Sequence, residues 1–97
     1  MTEQNSVLAH TGTASWTAED GTAYEVALEG NSHVVGAYSG LIARAEETGD
    51  ADRAAELTAA QGNWAARRKT LTPEDRSEVD ELTAESARVL QQLRSER

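Results

Sequence analysis

Residues 13–30 read TASWTAEDGTAYEVALEG, and the fold turns on whether this stretch is extended or helical. Ala14, Trp16 and Ala18 fall on one side of an extended chain, and Tyr24, Val26 and Leu28 do so again further on. Alternation of this kind marks a half-buried strand. Between the two runs stands Glu19–Asp20–Gly21. A two-residue Asp20–Gly21 turn would put the two apolar faces on opposite sides of a hairpin. A three-residue loop sets Trp16 against Tyr24 and Ala14 against Val26 on one face, with Gly21 in the left-handed region. The pattern therefore predicts a β-hairpin with strands at about 13–18 and 22–29. A lone hairpin is marginal in water, so helices should cover its aromatic face.

Downstream, Gly30–Asn31–Ser32 reads as a break and a helix cap. Val34, Val35, Tyr38, Leu41, Ile42 and Ala45 then recur at helical spacing, predicting a helix at about 33–48 with Gly49 as its stop and Asp50 as the next cap. A second helix is expected at about 51–69, on the weak stripe Ala54, Leu57, Gln61 and Trp64. Thr72 as N-cap and Pro73 at the first helical position open a third, at about 73–94. Val79, Leu82, Ser86, Val89 and Leu93 follow a 3-4-3-4 rhythm, widened by Leu90, so Val79, Leu82, Val89, Leu90 and Leu93 form a candidate interaction face. Residues 1–12 lack periodicity and read as a flexible arm, leaving 13–97 as one small domain. The fold class expected is α+β: an N-terminal hairpin packed on three helices.

Composition narrows the chemistry. The 97 residues include no cysteine, two histidines and 17 alanines; Leu, Ile, Val and Phe together make 15. That share lies below the roughly 20% at which high charge suggests disorder, yet those residues fall at strand or helix spacing, which predicts order on a small core. So small a core favours completion by a second surface, another protein's or a second copy's. Missing cysteine removes disulfides, zinc-finger sites and thiol nucleophiles. His10 and His33 lie in polar settings and read as solvated residues. There is no nucleophile elbow, phosphate loop or paired-histidine motif. The run Glu46–Asp52 lacks the ligand order of a calcium loop and reads as a helix stop and cap. No enzyme activity, cofactor or metal is expected.

The formal charge is −8, with one base and seven acids in residues 1–49. Such a surface repels phosphate backbones, so direct nucleic-acid binding is disfavoured and a basic protein partner fits better. Arg67, Arg68 and Lys69 form the one basic cluster; positive charge suits a helix C-terminus, and the alternative is a contact with an anion, a partner or the acidic half of a second copy. Trp16, Tyr24, Tyr38 and Trp64 are the only aromatics and are expected as core anchors. No apolar run is long enough to span a membrane and the first residues are polar, so a cytoplasmic chain is expected. Eight arginines against one lysine, with much alanine, suggest a GC-rich bacterial or phage genome. The functional expectation is a small acidic non-enzymatic interaction module, itself expected to be a homodimer: a regulator, adaptor or inhibitor of a protein partner, of the kind antitoxins, immunity proteins and counter-defence proteins represent. The alternatives are a homodimeric assembly component built by pairing of the third helix, and a small-molecule-binding domain.

Overall fold

The computed structural model describes residues 16–96, which form three α-helices: α1 (Ala18–Glu47), α2 (Ala51–Thr70) and α3 (Arg76–Ser95). No strand occurs among the described residues. The expected hairpin is thereby corrected: residues 18–29 are the opening turns of α1. Residues 13–15, and the expected arm at 1–12, lie outside the described residues.

A capping box turns this segment into a helix. Thr17 is the N-cap with extended backbone; its Oγ1 accepts from Asp20 N at 3.0 Å, and Thr17 N donates to Asp20 Oδ2 at 3.1 Å. Two amide groups that a helix start leaves without partners are thus satisfied reciprocally. Glu19–Asp20–Gly21, expected as a turn, is the first turn of α1. Its acids lie where the helix dipole favours them.

The buried stripe of α1 explains why the helix continues through Gly30. Tyr24, Ala27, Asn31, Val34, Tyr38, Leu41 and Ala45 follow strict 3-4 spacing; Ala27, Asn31, Val34, Leu41 and Ala45 are buried, and the two tyrosines pack against them. The expected helix at 33–48 has the right face but begins fifteen residues late.

Gly49, at φ 77°, stops α1, and Asp50 accepts from Arg53 N at 3.1 Å to cap α2. The start of α3 falls later than expected. Thr72–Pro73–Glu74–Asp75 forms a turn closed by Asp75 N donating to Thr72 O, and Asp75 is the N-cap, accepting from Glu78 N at 3.2 Å. Proline in the second position of a turn is as well placed as at a helix start.

The 30 residues of α1 span about 45 Å, against about 30 Å for each 20-residue partner. α2 runs antiparallel along the C-terminal part of α1, with Gln61 donating to Val35 O at 2.9 Å and Arg68 to Ser32 Oγ at 2.8 Å. α3 runs parallel to α1: Arg76 meets Asp20, and Ser86 meets Gly30. No Cα of α2 comes within 8 Å of one in α3. Side chains join those two helices instead, through the pairs Arg67–Glu85 at 2.9 Å and Arg53–Glu96 at 2.7 Å. α1 is thus the backbone of the bundle and packs on both partners. None of the three helices is long and apolar enough to cross a membrane.

Glycines on α1 divide into two kinds. A Cβ at Gly30 would stand 3.1 Å from Ser86 Cβ, so this glycine permits the close approach of α3. Gly36 and Gly40 face open space, with nothing within 4 Å of an added Cβ. Gly40→Ala is accordingly expected to stabilise by about 0.5–1 kcal/mol through helix propensity. Gly30→Leu should destabilise by about 1–3 kcal/mol through overpacking. Urea melts of both variants check the contrast; equal signs would place the α1–α3 crossing elsewhere.

Candidate functional site

The apolar stripe of α3 lies inside the fold. Val79 and Leu82 are fully buried and Leu93 nearly so, while Val89 and Leu90 are partly buried against the same core. The face expected to meet a partner therefore meets α1. Ser86, in the same stripe, is also buried.

The basic cluster is divided between different neighbours. Arg67 pairs with Glu85 of α3 and lies 4.9 Å from the centre of the Trp64 ring, a cation–π arrangement. Arg68 turns to Ser32 of α1, and Lys69 is exposed. Two of the three charges thus serve packing between helices.

Of the four aromatics, Trp64 is buried, and Tyr24 and Tyr38 are partly buried against the core. Trp16 departs from expectation: it is 39% exposed and precedes the N-cap, close to Gly21. Its indole lies over Gly21, where an added Cβ would stand 3.7 Å from the ring nitrogen. It sits at the entry to α1 rather than in the core.

Asp20 joins the starts of α1 and α3. One carboxylate oxygen closes the capping box, and the other accepts from Arg76 Nη1 at 2.9 Å, while Arg76 Nε binds Asp80 at 2.9 Å. The Thr17 amide foremost, then the Arg76 guanidinium, holds the Asp20 carboxyl below its usual range. A depressed carboxyl contributes stability above its unfolded-state value, lost as pH falls through the folded one. Asp20→Asn should therefore lower stability at neutral pH and lessen the loss below about pH 4. Thermal melts from pH 2 to 7 check this, and parallel curves for the two proteins would contradict it.

Opposite the buried stripe, α1 shows solvent an acidic face. Glu25, Glu29, Gly36, Gly40, Ala43 and Glu47 follow one another along it at helical spacing, all exposed. Val26, beside Glu25 and Glu29, is 48% exposed. None of Glu25, Glu29 or Glu47 enters an ion pair among the described residues. Glu25 and Glu29 are four apart, and like charges at that spacing cost a few tenths of a kcal/mol. The fold gains nothing visible in return. This face is the candidate contact site.

His33 is exposed, and His10 lies outside the described residues. No group of three or more metal-ligating side chains assembles among the described residues. What the sequence reading missed is a buried polar layer. Asn31, read as part of a chain break, is fully buried and donates through Nδ2 to Trp64 O at 2.8 Å. Its place in the 3-4 rhythm between Ala27 and Val34 was the signal available.

Fold and surface together define a three-helix bundle built along one long helix, with an acidic outer face. Compared with protein-family models, with curated proteins and with solved structures, the chain matches none.

Proposed function

We propose that this chain is a non-enzymatic protein-interaction module, and that the outer face of α1 is its contact surface for a basic partner. One observation carries the reading: Glu25, Glu29 and Glu47 stand exposed along that face and outside every ion pair among the described residues, with Val26 half exposed beside them. Unneutralised charge of one sign steers an oppositely charged partner and fixes its register, while an exposed apolar side chain supplies area to bury. A regulator, adaptor or inhibitor works this way, by covering a surface of its target. Pairing of two copies through α3 is a weaker reading, since the apolar stripe it would use is already packed on α1.

The test is affinity capture from the native cell with the wild-type chain and with a Glu25→Lys/Glu29→Lys/Glu47→Lys variant of matched melting temperature. A captured basic protein that the variant no longer holds, and that elutes at raised salt, supports the proposal. Equal capture by both chains overturns it. Light scattering across concentrations checks self-association alongside.

A further inference from the structure

Where α1 gives way to α2, a cleft of about 250 Å³ opens at the end of the bundle remote from Asp20. Leu41 and Ala45 of α1 and Leu57 of α2, all buried, form its floor, with Thr48 and Asp50 beside them. Two arginines from different helices line it, Arg44 from the last turn of α1 and Arg53 from the first turn of α2.

The two arginines stand in different states. Arg53 Nη2 is 2.7 Å from Glu96 Oε1, a carboxylate brought 43 positions along the chain by the end of α3. Its Nη1 lies 3.6 Å from the more exposed Glu56. Arg44 enters no ion pair among the described residues. The remaining acid of the wall, Asp50, is committed to Arg53 N as the cap of α2. A guanidinium is a planar fork suited to carboxylate. The cleft thus sets an apolar floor beside one guanidinium already holding a carboxylate and a second that enters no ion pair among the described residues.

We propose that this cleft binds a small organic carboxylate. Arg44 and Arg53 hold its charged group, Leu41, Ala45 and Leu57 receive its hydrocarbon part, and Glu96 is the internal carboxylate it displaces. Carboxylate is favoured over phosphate because the group already seated on Arg53 is a carboxylate and because Asp50 in the lining would repel the larger charge of a phosphate. Its volume is below the range usual for drug-sized ligands, which limits the guest to a short chain. Such a guest binds with Kd on the order of millimolar.

The test is an amide-shift titration of the full chain with hexanoate, beside 1-hexanol and inorganic phosphate. Hexanoate should give saturable shifts around residues 44–53 that neither control reproduces. Arg44→Ala and Arg53→Ala should each weaken binding about fivefold or more, as loss of a charge-assisted contact does. Glu96→Gln should tighten it severalfold by removing the internal competitor. Glu56→Gln removes the same charge from a more exposed position and should do less. Melting curves of each variant verify folding; the Glu96 pair is solvent-exposed on both sides and contributes little to stability. Hexanol shifts equal to those of hexanoate, stronger binding of phosphate, equal effects of Glu96→Gln and Glu56→Gln, or no saturation by about 50 mM hexanoate would each overturn the proposal.

Discussion

Leu82→Ala is expected to cost about 2–5 kcal/mol, the range for truncating a buried leucine. A chain of this length holds about 5–15 kcal/mol in total, so the variant sits near the edge of folding. Leu82 is fully buried and is among the largest fully buried side chains of the bundle. Leu82 lies one turn before Ser86, which meets Gly30, beside the stretch of α1 whose buried residue is Ala27, a side chain with no length with which to refill a hole. The cost should therefore fall in the upper part of the range, since it rises with the cavity left behind. Val26→Ala, at a site 48% exposed, should stay within about 0.5 kcal/mol. Urea denaturation of both variants is the measurement. A loss below about 1 kcal/mol at Leu82 would show that α3 does not seal the core.

The second large effect is expected at Asn31, and it carries a pH signature. The side chain is fully buried; Nδ2 donates to Trp64 O, and Oδ1 has no partner among the described residues. In Asn31→Asp the donor is lost, and an ionised carboxylate would face a carbonyl oxygen in a dry interior. Burial raises the pKa of such a carboxyl. In its neutral form the hydroxyl takes over the bond to Trp64 O. Ionisation of the unfolded chain begins near pH 3.9, while the folded chain keeps its proton to higher pH. Stability then falls by about 1.4 kcal/mol for each pH unit between the two values. The variant should lie nearest wild type around pH 4 and be several kcal/mol weaker at pH 7. Asn31→Leu removes the titrating group and should show no such slope. A pH-independent deficit in Asn31→Asp would mean that the side chain reaches water.

The helix spacing and the acidic charge were legible in the sequence, because both are local properties. Ala54, Leu57, Gln61 and Trp64 lie on the face of α2 that meets α1, as their spacing predicts. The hairpin was misread for a physical reason. Over six or seven residues, a period of two and a period of 3.6 select overlapping sets of apolar positions. Tyr24 belongs to both, while Val26 belongs to the strand pattern and Ala27 to the helical one. Burial decides between them, and it is Ala27 that is buried while Val26 is exposed. The threonine and aspartate three apart, Thr17 and Asp20, were the local evidence for a helix start. The neighbouring glycine made the same residues resemble a turn.

By itself the sequence determined the presence and approximate course of the second and third helices, which of their faces are apolar, and how the acids are distributed, while the start of α3 at Asp75 was missed. Each follows from neighbours three or four residues away. Tertiary structure alone decided that Gly30 and Asn31 continue a helix rather than end one. Their propensities oppose helix formation, and the compensation lies at Ser86 and Trp64, more than thirty residues distant. It likewise decided that the stripe on α3 is interior, since an apolar face is the same in sequence whether a partner or the chain itself covers it. The proposed contact surface is consequently the charged outer side of α1.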